Sequence, residues 1–327
     1  MPARTFEAAP GITAIDTMMV GREMVTSAYL VAADEPILVE TGPTTSLPAL
    51  VAGLDAIGVG PADLPNVVVT HIHLDHAGGV GALAERFPGA TIWVHERGAP
   101  HLADPTKLVH SAGRVYGEER LRTLFGPMEP VPSERIRPVA EGDKVPLGTR
   151  GLDVLYTPGH ASHHIALVDS LSGALFTGDA LGIHLPDARV LRPATPPPDI
   201  DVELGVQSIE RIRARAESVL LFSHFGPVTE VDELCSIASA RLRKWAEIVR
   251  EALDETDDLE RVTELLERRT ASEFKDGPLP REEIDFERYE VLSSMRMNAE
   301  GLVRYWKKRA EREASDEVAP PGAQPPS

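Results

Sequence analysis

The sequence predicts a layered α/β fold followed by a helical C-terminal appendage. Three observations predict it. Short runs rich in Val, Ile, Thr and Leu, separated by turn residues, fill the first two-thirds of the chain. Helix-spaced segments are interleaved with them in strand–helix–strand order. Beyond about Val231 the strand pattern stops, and apolar residues recur only at helical spacing.

In chain order, Ile12–Val20, Ser27–Ala33 and Ile37–Glu40 read as strands. Ser46–Ile57 has helical spacing that ends near Gly58. Asn66–Thr70 is a short apolar strand, Gly79–Phe87 a helix and Thr91–Val94 a further strand. From His101 to Glu141 the Pro, Gly and charge content predicts short helices and loops, placed where they would cover a site. Strands resume at Leu152–Tyr156, Ile165–Asp169 and Ala174–Thr177. Gly182 to Asp199 reads as a long Pro-rich loop, Val202–Arg215 as a helix and Val219–Ser223 as a final strand. Three C-terminal helices follow. They are marked by Leu234, Ala238, Leu242, Trp245, Val249 and Leu253; by Leu259, Val262, Leu265 and Leu266; and by Tyr289, Leu292, Met295, Ala299, Leu302 and Trp306. The Trp and Met stripe reads as core packing. The expected organisation is a catalytic domain over residues 1–230, a helical region over 231–313 and a disordered tail over 314–327, acidic and then Pro-rich.

With 327 residues the chain suffices for one large domain plus a smaller appendage. A formal net charge of −18 argues against phosphate-backbone binding as the main activity, so no nucleic-acid partner is expected. The one cysteine, Cys235, excludes an intramolecular disulfide and suits a reducing cytoplasm. Its place beside Leu234 and Ile237 in a helical pattern predicts packing rather than thiol chemistry. Met1 to Pro10 lacks an apolar signal region. No run approaches the ~20 apolar residues of a membrane span, so no membrane partner is expected and the location is read as cytoplasmic.

The chemistry concentrates in Thr70-His71-Ile72-His73-Leu74-Asp75-His76, directly after the apolar run Asn66–Val69. Ligand sites commonly lie in the crevice beyond strand ends. In an extended chain His71 and His73 project to one side. A turn after them would aim Asp75 and His76 at a neighbouring point, and Gly78 and Gly79 permit a tight entry into the next helix. Three later residues share this placement: His160 after Leu152–Tyr156, Asp179 after Ala174–Gly178, and His224 after Val219–Ser223. A lone histidine is usually a surface or satisfied core residue. Four ligand-type residues in six, followed by three more at strand ends, are not explained that way. Imidazole and carboxylate donors suit zinc and tolerate iron or manganese.

These pieces, with Leu38-Val39-Glu40-Thr41-Gly42, Thr157-Pro158-Gly159-His160, Phe176-Thr177-Gly178-Asp179 and Ser223-His224, resemble the metallo-β-lactamase superfamily over roughly residues 10 to 230. The resemblance implies a four-layer αββα sandwich with two divalent metal ions at one edge. It implies that His71, His73 and His160 hold the first, that Asp75, His76 and His224 hold the second, and that Asp179 bridges both. Glu40 stands where such families usually carry Asp, a residue that supports a ligating histidine.

The implied chemistry is that of a dinuclear hydrolase, with zinc favoured. A metal-bridging hydroxide would attack a carboxylic ester, thioester or lactone, and Asp75 would orient the nucleophile and pass a proton. His73 occupies a position that is Glu in the oxygen-reducing branch. The stretch Ala180-Leu181-Gly182-Ile183-His184-Leu185-Pro186 does not match the glutathione-thioester branch. Gly159-His160-Ala161-Ser162-His163-His164 with Phe176–Gly182 is similar to a thioesterase-like branch with C-terminal helices that cap the active site. The expected partner is a small-molecule ester, thioester or lactone, and a homodimer is compatible. The alternatives are an iron-dependent persulfide dioxygenase-like enzyme and a catalytically weak binding or regulatory protein on the same fold. Among other residues, His164 is a candidate partner to a ligand and His184 a candidate substrate contact. His95, His101 and His110 read as surface or loop residues. Tyr116, Tyr156 and Tyr289 are candidate phenols near an oxyanion, with nothing in the spacing to choose among them.

Overall fold

Two β-sheets lie face to face, each covered on its outer side by helices, in a computed structural model that describes residues 4–185, 188–275 and 283–318. The first half supplies β1 (Thr5–Ala9), β2 (Ile12–Asp16), β3 (Ser27–Val31), β4 (Ile37–Val39), α1 (Leu47–Ala56), β5 (Asn66–Val68), α2 (Leu74–Ala77), α3 (Val80–Arg86) and β6 (Thr91–His95). Next come α4 (Ala99–Ala103), α5 (Thr106–Tyr116), α6 (Glu118–Leu124) and β7 (Ile136–Val139). The second half supplies β8 (Lys144–Leu147), β9 (Arg150–Tyr156), β10 (Ile165–Asp169), β11 (Ala174–Gly178), β12 (Ile183–Leu185), β13 (Val190–Arg192), α7 (Val202–Ala214), β14 (Val219–Phe222) and β15 (Gly226–Val228). Helices α8 (Val231–Glu255), α9 (Leu259–Thr270), α10 (Phe286–Leu292) and α11 (Met295–Val318) complete the described chain.

The first sheet has the order β1-β2-β3-β4-β5-β6-β7 and the second β15-β14-β11-β10-β9-β8; β12 and β13 form a separate hairpin. Strands β4 to β7 run parallel to one another, as do β11 and β14. Side-chain alternation assigns each strand residue to one of two interfaces. Val67 faces the helices over the first sheet, together with Ile15, Leu38, Leu54 and Leu83, whereas Val68 faces the second sheet with Val39, Leu167 and Phe176. Across the second sheet, Leu155, Ala166 and Leu175 face Val206, Trp245 and Leu302 of the outer helices. Three apolar interfaces between four layers give the αββα order that the family resemblance implies.

The structure also differs from the sequence expectations. The expected loop from Gly182 to Asp199 contains the β12–β13 hairpin, and four strands not anticipated (β1, β7, β8 and β15) are the four edges of the two large sheets. The third expected C-terminal helix is two, because the Ser294 hydroxyl accepts from Met297 N at 3.1 Å and starts a new helix there. Helix α11 runs to Val318, so the stretch expected as tail from Ala314 begins as helix; 319–327 lie outside the described residues. The C-terminal helices are not set apart from the sandwich. Helices α8, α9 and α11 form the outer layer of the second sheet, while Tyr289 and Leu292 of α10 join the core of the first half. No helix among the described residues is long and apolar enough to cross a membrane.

Candidate metal centre

Four strand ends meet at one edge of the sandwich. Strand β5 leads to His71, β9 to His160, β11 to Asp179 and β14 to His224. Two backbone hydrogen bonds join the halves beneath them: Ile165 N donates to Thr70 O, and Ser27 N to Ser223 O, each at 2.8 Å. His73 is extended (φ −61°, ψ 151°), and α2 begins immediately after it, turning Asp75 and His76 toward the same edge. The adjoining glycines serve close approach rather than an unusual turn. Neither has a positive φ, and a Cβ on Gly78 would lie 3.2 Å from Pro43 Cα.

All seven side chains singled out from the sequence come together in three overlapping groups. These are His71, His73 and His160; His71, His76 and Asp179; and Asp75, His76 and His224, with the ligand atoms of each group within 4.8 Å of one another. In the first group His73 Nδ1 is 3.0 Å from His71 Nε2 and 2.9 Å from His160 Nε2. Asp179 spans the groups. Its Oδ2 is 3.5 Å from His160 Nε2, and its Oδ1 is 3.3 Å from His76 Nε2 and 3.2 Å from His224 Nε2. Asp75 Oδ2 lies 3.6 Å from His224 Nε2 and 3.7 Å from His76 Nε2. His73 and Asp75 are the partly exposed members; the other five are buried.

The backs of these residues are held by hydrogen bonds. His160 Nδ1 donates to Ala194 O at 2.9 Å, which leaves its Nε2 lone pair facing the cluster. Asp179 N donates to His164 Nε2 at 3.0 Å, and Thr157 holds His164 Nδ1 at 2.8 Å, so His164 supports the spanning carboxylate. Glu40, at a left-handed backbone position (φ 69°), takes the expected supporting place. Its Oε1 accepts from Thr70 Oγ1 and from Ser223 Oγ (3.1 Å), and lies 3.3 Å from His76 Nδ1.

The electrostatics divide the histidines. Burial, reinforced by neighbouring imidazoles, holds His71 and His73 well below the usual histidine range. Burial also pulls His76 down, but Asp179, Asp75 and Glu40 outweigh it and raise it well above that range. Burial pushes the Asp179 carboxyl up, and His224, His76 and His160 together hold it well below the usual carboxylate range.

The donor set fits a cation. His76 Nε2, Asp179 Oδ1 and His224 Nε2 are buried and have no hydrogen-bond partner. Buried polar atoms left unpaired are costly, and here three converge on one point. The edge opens on a cleft of about 310 Å³ lined by His73, Asp75, His160 and Asp179. Its walls are Leu108, Ala112, Val115 and Tyr116 of α5, the prolines Pro196 to Pro198, and Leu292, Ser293 and Met297 at the α10–α11 junction. The segment after His101 therefore covers the site, and the C-terminal helices reach its mouth.

The remaining candidates separate cleanly. Tyr116 and His163 line the cleft, as does His101. Tyr289 instead donates to Val190 O at 2.7 Å in the core. His184 lies away from this cleft, beside Phe222 on the β12–β13 hairpin. His95, expected at the surface, is buried and stacks on Tyr156 at 4.6 Å, because it ends a strand rather than beginning a loop. Burial pushes the Cys235 thiol up to about 12, consistent with packing. The supporting groups Thr70, Ser223 and the Ala194 carbonyl were not foreseen; Thr70 and Ser223 carry a signal only in being next to ligand-type residues.

A four-layer sandwich with imidazoles and carboxylates gathered at one edge defines a layered α/β protein with a candidate metal site. The chain belongs to the metallo-β-lactamase superfamily, whose family model matches residues 21–224. A metallo-beta-lactamase fold-containing protein of Sulfurisphaera tokodaii is 32% identical over 171 residues, which is 51% of this chain and 62% of that protein. The probable metallo-hydrolase YqjP of Bacillus subtilis is 26% identical over 247 residues, 69% of this chain and 75% of the relative. A hydroxyacylglutathione hydrolase of Legionella pneumophila is 26% identical over 118 residues, 36% of this chain and 34% of that enzyme. The chain thus spans less than two-thirds of the first relative and about a third of the last. In fold it is similar to a crystal structure of an archaeal metallo-beta-lactamase superfamily protein from Sulfolobus tokodaii, with a TM-score of 0.65 and 22% identity, covering 89% of this chain and 98% of that one.

Proposed function

We propose that this chain is a dinuclear metal-dependent hydrolase of small carboxylic esters, thioesters or lactones. The observation that carries the reading is the set of three unpaired buried atoms around Asp179, joined to the three-histidine group through the other oxygen of the same carboxylate. His71, His73 and His160 would hold one cation and Asp75, His76 and His224 the other, with Asp179 serving both. Imidazole and carboxylate donors favour zinc over calcium or magnesium. When bound, such a pair supplies an acidified water and Lewis-acid polarisation of a carbonyl oxygen.

The chain's own residues supply the rest. Asp75, the carboxylate of the set that is partly open to the cleft, orients the attacking water and accepts its proton. Burial first, then the Asp75 and Asp179 charges, raises the Tyr116 phenol, so it stays protonated and can donate to a developing oxyanion. The walls of α5 and the α10–α11 junction exclude water from an apolar acyl group. A thioester substrate is supported by the names of the hydroxyacylglutathione hydrolase relatives. No arginine occurs in the stretch Ala180–Leu185, which favours a thiol other than glutathione. Residues 1–230 would carry the catalytic domain, with the helical region from 231 completing its cleft.

The test is removal of metal with a chelator, followed by addition of zinc, manganese or iron and assay against ester, thioester and lactone panels. Activity should vanish and return with metal. Activity surviving complete removal sinks the reading. One iron per chain with oxygen consumption would favour the persulfide-oxidising alternative, and two bound metals with no turnover on any panel a binding protein.

A further inference from the structure

Helix α11 reaches the metal edge through the loop that follows β13 as well as through Met297. The Ala194 carbonyl that receives His160 Nδ1–H begins the stretch Ala194–Pro198, whose prolines roof the cleft. One side of α11 grips that stretch. Asn298 Oδ1 accepts from Thr195 N at 2.7 Å and from Thr195 Oγ1 at 2.8 Å, and the Asn298 backbone carbonyl lies 3.1 Å from the same hydroxyl. Gly301 packs so tightly that a Cβ there would fall 1.9 Å from Thr195 O. Farther along, Lys308 Nζ donates to Pro198 O at 2.9 Å.

Asn298 is 0% exposed, and its amide also faces the other way. Its Nδ2 donates to Ser293 Oγ at 2.8 Å and lies 3.2 Å from the Ser293 and Ser294 carbonyls. The position therefore needs an acceptor toward the loop and a donor toward the α10–α11 junction, which the amide supplies without a buried charge. Alanine would leave the buried Thr195 N–H without its acceptor and would take from Ser293 the amide donor it receives.

We propose that Asn298 is a positioning residue for His160. It fixes Thr195, hence the Ala194 carbonyl, hence the tautomer and direction of His160 Nε2. The same side chain fixes Ser293, which lines the cleft together with the prolines. The C-terminal helix thereby sets one ligand of the metal edge from more than a hundred residues away in sequence. This rests on the reading that His160 holds a cation.

The experiment titrates full-length apoprotein with Co²⁺ and follows its visible absorption, for wild type, Asn298→Ala, Thr195→Val and His160→Ala. Loss of the buried support should weaken one of two Co²⁺ sites by roughly 10–100-fold in Asn298→Ala and change its spectrum, leaving the other site near wild type. Thr195→Val, which deletes only the hydroxyl, should move the same site in the same direction by less. Wild-type affinity and spectrum in both variants would overturn the proposal, as would equal weakening of both sites, which marks general loosening. Should Asn298→Ala not fold, Thr195→Val decides alone: a shift confined to one site supports the proposal and no shift overturns it. Failure of the underlying reading looks different, because wild type would then not bind two Co²⁺ or His160→Ala would lose neither.

Discussion

The sandwich holds buried charge at both of its ends, and the two ends are built on opposite terms. At one end Arg150 and Asp169 form a closed set. The guanidinium donates to both carboxylate oxygens at 2.6 and 2.7 Å and to the carbonyls of Ala32, Gly11 and Pro10, while Ser172 satisfies the carboxylate further. Five donors find five acceptors, and nothing from outside is needed. At the other end His76 Nε2, Asp179 Oδ1 and His224 Nε2 are equally buried, face one another at 3.2 to 3.3 Å and have no hydrogen-bond partner. The same sandwich can satisfy a buried charge completely when the charge serves only the fold. The open set at the opposite end is therefore a site prepared for a cation.

The largest effect should come from breaking the open end. Asp179→Ala removes the carboxylate proposed to serve both ions, whose two oxygens face His160 on one side and His76 and His224 on the other. Metal analysis after reconstitution should show loss of both tightly held ions, and kcat/KM on the best substrate should fall by about 10³ or more. Two ions still tightly bound would mean that Asp179 is not their shared anchor, and the contrast between the two ends would lose its basis. Breaking the closed end should do the reverse. Arg150→Ala strands the Asp169 charge in the interior and should cost about 3–5 kcal/mol of stability in denaturant unfolding, with metal content unchanged. Burial pushes Asp169 up, but Arg150 and Ser172 outweigh it and hold its carboxyl below the usual range. This contribution is therefore fully present above the ordinary aspartate value of about 3.9 and fades only as pH falls through the lowered value. A variant that unfolds like wild type at pH 7 would show that the closed end contributes little.

The same contrast explains what could be read in the sequence. Strands buried on both faces were legible because helix-facing Val67 and sheet-facing Val68 are both apolar, leaving an uninterrupted run. The four unanticipated strands are edges, paired on one side only, where Pro138, Pro146 and Pro227 remove no ladder hydrogen bond that the sheet depends on. At the site, the seven side chains were legible because residue type carries the chemistry and strand ends carry the position. Their supports were not. The Ala194 carbonyl has no side-chain signature, and Asn298 is an ordinary helix residue until the fold brings it to Thr195. Helix α5 falls in the stretch expected as short helices and loops over a site; its apolar stripe, Leu108 to Tyr116, faces the cleft and none of its residues is fully buried, so only its covering role and not its bounds is legible.

A smaller effect would sharpen the comparison further, by asking how the open end balances charge before metal arrives. Asp179, Asp75 and Glu40 outweigh the burial of His76 and favour its charged form, in which a proton between the carboxylates substitutes for a cation. A metal can take that nitrogen only when its proton leaves. His71 and His73, held low by burial, are already neutral and have no proton to lose. The two ions should therefore differ in pH dependence. Binding at the site that includes His76 should release about one proton near pH 7 and weaken about tenfold for each unit of acidification below the raised value. Binding at the three-histidine site should stay nearly flat over the same range. Calorimetric titration in buffers of different ionisation enthalpy counts the protons directly. Equal proton release at both sites would show that the carboxylates do not hold His76 charged, and that the unpaired atoms around Asp179 are balanced in some other way.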